Sequence, residues 1–437
     1  MKKLLLILLT ITLFPHLYAQ EAEAAQEPES DEGIIEIQNE DEFLAEDHED
    51  EFQPESKNAA GMVRQRFEVG SDIRIGLDNG LIGTSEIFKK QIVLDLNEKA
   101  ASIRNGGLNF NIDGNGNILY VDILNIPIKE GLWAFGFFIN AEGKINVNIP
   151  KSLFTLISQG NIDQHSFEGM LSASGGIYAN TGLSASAKYG KLRVGLKPTL
   201  FTPLIFIPKS GITYHLETEK EVELTSSGEI NVYYPLDENN KFTGLKFGFD
   251  VSMDGEYALF PFLDVGGSLS RIPLAPATLR NRMKIGMKDL YYHINGEMIM
   301  KDEIPELPDF GSFDDAIFDT EPYKVYRPFR FDIYARYRPF STEILVVRPN
   351  IGFSVDGNDN KGYFNAGLEV QSTLVNDMIK LYLGTGYQES VWRHRLGFAF
   401  NFRVFELGME GALRADSFPG SFRGQGFAIG LSSRFGW

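Results

Sequence analysis

Six histidines and no cysteine limit the chemistry open to this 437-residue chain. Without cysteine there are no disulfides and no thiolate metal sites. His16 and His48 fall in the first 60 residues, leaving His165, His215, His293 and His394. None belongs to an H-E-x-x-H pair, and no G-x-S-x-G nucleophile turn occurs. Asp113, Asn115 and Asn117 in N-I-D-G-N-G-N imitate the start of a calcium loop, but the later bidentate Glu and the flanking helices are missing. That stretch reads instead as a Gly/Asn-rich hairpin turn. The glycines are spread along the chain and form no phosphate loop. We therefore expect no catalysis, no metal, no cofactor and no nucleic-acid ligand.

The charged residues are more informative because they come in rows. Arg330, Asp332, Arg336 and Arg338 share one parity with Tyr334, and Phe329, Phe331 and Ile333 take the other. Arg393 and Arg395 alternate with Trp392, Leu396 and Phe398, and Glu406 and Glu410 alternate with Phe405, Leu407 and Met409. Period two means strands with one charged face and one apolar face. Arginines lining a pore can attract carboxylates or phosphates and set ion selectivity. The alternative is that they pair with neighbouring Asp and Glu to hold the wall together.

Those rows must sit on paired strands. A two-residue turn at Phe402 and Arg403 would pair Phe400 with Phe405 and Leu396 with Met409, and would set Arg395 opposite Glu410. At the carboxy end Phe427, Ile429, Leu431, Phe435 and Trp437 share a parity, against Ala428, Gly430, Ser432, Arg434 and Gly436. A charged, glycine-rich face behind an apolar one is the inside-out pattern of a membrane barrel. Trp392 and His394 fall on the apolar face and fit an interfacial aromatic girdle. The pattern recurs at 345–353, 364–370 and 379–383, with short turns near Pro339, 375–377 and Phe402. Longer polar connections fall at 301–322, 356–361 and 415–424.

Upstream, plausible strands cover 63–77, 107–123, 131–140, 143–150, 167–178, 181–189, 191–201, 211–218, 220–234, 241–254, 256–269 and 282–299. Residues 85–102 fit a strand or a helix, and Ser152–Ser158 fits a helical turn or two. Pro198, Pro203 and Pro208 punctuate an apolar run; proline is excluded from a central ladder, so this run should bend or leave the sheet. It could form an apolar constriction in the lumen. The fold expected is an all-β transmembrane antiparallel barrel of about 14 strands (12–16), each needing roughly 9–11 residues.

The start of the chain sets the compartment. Lys2 and Lys3, the apolar Leu4–Phe14 and the small Ala19 before Gln20 form a secretory signal over residues 1–19. Residues 21–57 hold sixteen Asp and Glu against Lys57, so most of the net charge of −18 belongs to one short segment. Residues 20–60 read as an acidic disordered periplasmic segment: a solvated linker, or a plug, calcium-binding stretch or partner tether. Residues 61–437 read as the barrel, placed in the cell outer membrane. Its partners would be outer-membrane lipid, the barrel assembly machinery acting on the carboxy-terminal aromatic strand, and an unknown small-molecule substrate.

The signal, the carboxy-terminal aromatic residue and the strand number resemble bacterial outer-membrane β-barrel transporters. The architecture is similar to the long-chain fatty-acid transporter family, which has 14 strands and an amino-terminal plug. The phrases S-L-F-T-L-I-S-Q-G-N (152–161) and G-K-L-R-V-G-L-K-P (190–198) are similar to uncharacterised spirochaete-type outer-membrane barrels. No N-P-A motif lies near the expected mature amino terminus, so none of the fatty-acid family's ligand residues carries over. The resemblance implies passive or ligand-gated uptake of small molecules, hydrophobic ones included. The other expectation is a non-transporting surface barrel whose extracellular loops serve adhesion or partner binding.

Overall fold

The structure, a computed structural model, describes residues 67–79, 103 and 107–436, apart from 130, 160–164, 220, 237–240, 295–316, 359–360, 376–377, 403 and 423. The signal, the acidic segment, the 85–102 segment, the acids of the 301–315 loop and Trp437 lie outside the described residues. The strands are β1 (Phe67–Asn79), β2 (Leu108–Ile128), β3 (Gly131–Ile149), β4 (Ser166–Tyr189), β5 (Leu192–Glu217), β6 (Val222–Tyr233) and β7 (Gly248–Phe260). They continue with β8 (Leu263–Ala275), β9 (Ala277–Ile294), β10 (Ile317–Val325), β11 (Phe329–Tyr337) and β12 (Leu345–Val355). The last are β13 (Gly362–Leu374), β14 (Ile379–Gln388), β15 (Val391–Asn401), β16 (Phe405–Ala415) and β17 (Gly426–Gly436). Helix α1 (Lys151–Gln159) follows β3, and α2 (Phe418–Phe422) precedes β17.

Seventeen segments make fourteen staves, because three pairs are collinear. β5 pairs with β7 along its first half and with β6 along its second, so β6 and β7 are one interrupted stave. The hairpin of β8 with β11 runs on as β9 with β10. Every stave is antiparallel to its neighbours in sequence, and β17 pairs with β1 from Glu68↔Gly436 to Asp78↔Gly426, closing the barrel.

The burial pattern is inverted relative to a water-soluble protein. Ile75, Phe137, Leu183, Ile333, Phe353, Leu383, Leu396, Leu431 and Phe435 are exposed, whereas Asp250, Asp332, Lys380, Glu406, Arg414 and Arg434 are buried. An apolar band of that extent facing water would be an aggregation surface. Facing lipid, it is the outer wall of a membrane-spanning barrel with a polar lumen. No helix among the described residues is long and apolar enough to cross a membrane.

The two sides differ in height. From β12 to β17 the strands hold 10–13 residues, close to the roughly 9–11 that span a bilayer. β4 and β5 hold 24 and 26 residues, or about 80 Å of chain at some 3.3 Å per residue. The excess rises at the end opposite the carboxy terminus, where the two strands end at Ser166 and Glu217.

Several sequence expectations change at this point. The segments 131–140 and 143–150 fuse into β3, 167–178 and 181–189 into β4, and 191–201 and 211–218 into β5. The hairpin expected near residue 255 turns instead at residues 261–262, between β7 and β8. The proline run does not leave the sheet: β5 stays paired to β4 throughout, with a register irregularity at Ile177/Tyr178 opposite Pro203. Pro203 is tolerated because its other neighbour is interrupted there, between the β7 pairing that ends at Phe201 and the β6 pairing that begins at Phe206. N-I-D-G-N-G-N is no turn either. It lies inside β2, with Asp113, Asn115 and Asn117 facing the lumen and the exposed Ile112 and Ile118 facing outward.

The β15–β16 register is shifted by two from expectation, pairing Phe398 with Met409 and Phe400 with Leu407. The connection is longer than two residues, with Phe402 N–H bonded to the Phe405 carbonyl. An even shift preserves every face but changes partners, so Arg395 stands opposite Ala412 and Glu410 opposite Gly397. The end that carries the longer connections 356–361 and 415–424 also carries a short one. Glu389 and Ser390 form a two-residue turn at the long-loop end, both at positive φ (48° and 69°), as tight hairpins of the I′ type require.

Candidate functional site in the lumen

Alternation aims Glu142 and Lys144 of β3 into the lumen, two residues apart on one face. From there they reach the far wall. Glu142 accepts from Arg271 of β8 at 2.6 Å and from Arg327, between β10 and β11, at 2.9 Å. Arg327 also grips Asp250 of β7 with two bonds, Nε at 2.7 Å and Nη2 at 2.6 Å. Lys144 bonds Glu389 at 2.7 Å. These two residues belong to the third stave and to the turn joining the eleventh and twelfth, so they lie almost diametrically opposed in a fourteen-stave ring.

The same belt continues around the other side. Asp113 of β2 receives Arg393 of β15 at 2.9 Å and Arg414 of β16 at 2.9 Å. Arg414 also reaches Asp78 of β1 at 3.0 Å. Gly76 of β1 makes this possible, because a Cβ there would occupy the place of the Arg414 guanidinium. Fixed opposite charges thus cross the lumen between staves that share no sheet hydrogen bonds. Burial disfavours the Glu389 carboxylate, yet Lys144, Arg393 and Arg271 outweigh it and hold its pKa down, at about 2.

On the tall side the belt abuts an apolar cluster inside the barrel. Tyr178, Phe201, Phe206, Tyr233, Ala277, Leu279 and Val325 are buried together with Tyr323 against them. Phe201 packs edge-on to Tyr178 with centroids 6.2 Å apart, and the Arg327 guanidinium lies 5.2 Å from the Phe201 ring centre. Phe201 and Phe206 come from the proline-punctuated run, which therefore does present apolar groups to the interior while remaining in the sheet.

On the low side the lumen opens into a chamber of about 140 Å³. Its walls come from β1, β2 and β12–β17, and Gly384, Gly397, Gly408 and Gly430 line it. Arg74 pairs with Glu410 and Arg395 with Glu369 across this space. Its floor is a buried polar group in which Glu406 meets Lys380 at 3.4 Å and Arg434 at 3.5 Å, while the Tyr120 hydroxyl donates to Glu68 at 2.8 Å.

The residues singled out in the sequence separate into distinct places. Arg393 belongs to the belt; Arg395, Glu406 and Glu410 line the chamber. Arg330 pairs with Asp332 on its own strand. Arg336 and Arg338 both clasp Glu343 of the following turn, at 2.6 and 3.2 Å, and Arg338 also holds Asp264. Their contacts tie the wall and its turn together. Trp392 and His394 sit with Tyr387 at the long-loop end of β15, capped by Phe418 and Phe422 of α2. His394 bonds Thr385 at 2.9 Å and Ser421 at 2.8 Å. Ile429, Leu431 and Phe435 of the last strand face outward.

Sequence reasoning missed Glu142, Lys144, Asp250, Arg271 and Arg327. Arg327 lies at the joint between β10 and β11, and Arg271 at a register irregularity inside β8, where parity is lost. Glu142 and Lys144 lie beside the break assumed between two short strands. The signal for Asp113 was present, since D-x-N-x-N alternates with glycine and isoleucine, but it was read as a turn.

Fold and site together define a membrane-spanning β-barrel whose lumen is bridged by ion pairs. A family model described as a family of unknown function, DUF5723, matches residues 60–246. No curated protein matches the chain. Among solved structures, the Ralstonia pickettii toluene transporter TbuX is similar at 7% identity and a TM-score of 0.42, over 86% of this chain and 90% of that one. The Pseudomonas putida toluene transporter TodX is similar at 9% identity and a TM-score of 0.40, over 84% and 88%. A Pseudomonas aeruginosa FadL homologue is similar at 8% identity and a TM-score of 0.40, over 86% and 91%.

Proposed function

We propose that this protein is an outer-membrane channel for the uptake of small molecules, hydrophobic ones included, with the ion-pair belt as its gate. The observation that carries this reading is the pairing of a glycine-walled chamber with a charge lattice directly across the lumen. A purely structural lumen has no need of a chamber, and an open porin has no need of Lys144 and Glu389 meeting across it. The apolar cluster around Phe201, next to the belt, supports a path that tolerates hydrophobic solutes. Outer-membrane lipid would cover the exposed apolar band. The barrel assembly machinery would read the carboxy-terminal strand after export across the inner membrane.

The bridged lumen also favours a second reading, a closed barrel that anchors surface loops for adhesion or partner binding. Proteoliposome swelling separates the two. Uptake predicts that liposomes carrying the protein swell in small uncharged solutes once the Lys144–Glu389 bridge is removed, and that deleting 301–315 leaves swelling intact. A folded, bridge-free protein that supports no swelling, with partner binding abolished by that deletion, would establish the anchor instead.

A further inference from the structure

Among the described residues, one chamber-lining cation has no carboxylate within ion-pair distance. Arg348 of β12 lies on the lumenal parity and lines the cavity. Its cross-strand partner is Glu369, but that carboxylate is engaged by Arg395 from two staves further on. The carboxylates whose charge Arg348 feels, Glu256 and Glu343, are engaged by Arg193 and by Arg336 and Arg338. No acidic group of a described residue lies within ion-pair distance of Arg348, whereas Arg74, Arg393, Arg395, Arg414 and Arg434 each have a partner. A half-buried guanidinium needs a counter-charge, and its planar fork matches a carboxylate.

The surroundings restrict what that counter-ion can be. At about 140 Å³, close to the roughly 150 Å³ of a cavity that takes up benzene, the chamber accommodates a ligand of about that size. Tyr382 and Val346 supply apolar surface beside Arg348. We propose that the chamber is a binding site for a small organic carboxylate, with Arg348 taking the carboxylate and the wall beside Tyr382 and Val346 taking the apolar body. This names a ligand class for the channel and rests on that reading for its purpose. Binding itself is measured without transport, so each idea can fail separately.

The test uses the full chain, folded in detergent micelles, with 4-fluorobenzoate as the probe and fluorine NMR as the readout. Heat-modifiable mobility on gels verifies folding of each variant. Wild-type protein should bind 4-fluorobenzoate saturably and its uncharged isostere 4-fluorobenzamide much more weakly. R348Q should weaken binding about tenfold or more, the effect of losing a charge-assisted hydrogen bond, and R348K should retain part of it. E369Q should tighten binding, because it removes a neighbouring negative charge and releases Arg395. A merely structural Arg348 would not produce that opposite pair of effects. Equal binding of the amide, an unchanged affinity in folded R348Q, or no saturable binding by wild type would each overturn the proposal.

Discussion

The short strands β12–β17 and the tall staves formed by β2–β5 and by the collinear pairs β6–β7 and β8–β9 are built from the same alternation but put it to different use. On the short side each strand just spans the bilayer, its inner face is glycine and paired charge, and the wall leaves a chamber. On the tall side the strands run well beyond bilayer height, and their inner faces meet one another through Phe201, Phe206, Tyr178 and Tyr323. The belt is where the two meet: β3 contributes Glu142 to the tall side and Lys144 to the short side. Strand length, rather than residue type alone, decides whether an inward-facing residue lines a space or packs a core.

Removing a belt arginine should have the largest effect. Arg414→Met leaves Asp78 and Asp113 facing each other in a dry setting, and breaking a buried pair in this way costs about 3–5 kcal/mol. Urea unfolding of the detergent-folded barrel should show that loss. If its midpoint shifts by no more than a surface substitution would, the lumen at this level is wet and the belt is not a barrier.

Phe201→Ala sharpens the contrast between the sides. Phe201 is 2% exposed, and truncating such a residue costs about 3–5 kcal/mol. Amide exchange should accelerate in β5, β6 and β9, while 4-fluorobenzoate binding in the chamber stays unchanged. Faster exchange in β13–β16 as well would mean that the two sides are one cooperative unit.

The smallest stability effect belongs to the latch. Lys144 and Glu389 keep 34% and 23% of their side-chain surface, so Lys144→Met should cost about 1 kcal/mol or less after solvent screening. The Glu389 carboxyl is depressed to about 2, below the ordinary value near 4.3. Its stabilisation is therefore complete above the unfolded pKa, falls away as pH drops below that value, and is gone once pH has fallen through about 2. Channel closure should accordingly be unchanged between pH 7 and pH 4 in wild-type protein. Opening at pH 5 would show that Glu389 is not what holds the lumen shut.

Legibility in the sequence follows the same division. On the short side, parity placed Leu396, Phe398, Leu407, Met409, Ile429 and Leu431 on one face, and these residues are exposed together. A two-residue error in the β15–β16 register left those faces intact because the side-chain period is two. Partners were a different matter: Arg395 takes Glu369 and Glu410 takes Arg74, contacts set by curvature and shear that no local pattern encodes. On the tall side, strands twice the expected length were read as pairs of short ones. The fourteen staves emerge only once fused strands and collinear pairs are both counted. Ion pairs such as Lys144 with Glu389, 245 positions apart, depend on closure of the whole ring. Periodicity reports on a strand and its faces, not on which staves end up opposite each other.

The most direct measurement is single-channel conductance of the refolded protein in a planar bilayer, comparing wild type with the Lys144→Met, Glu389→Gln double variant. If the belt is the gate of a membrane-spanning channel, wild type stays closed at neutral pH and the double variant shows discrete open steps at nearly unchanged stability. Large steady steps from wild type, or silence from a verified folded double variant, would contradict it.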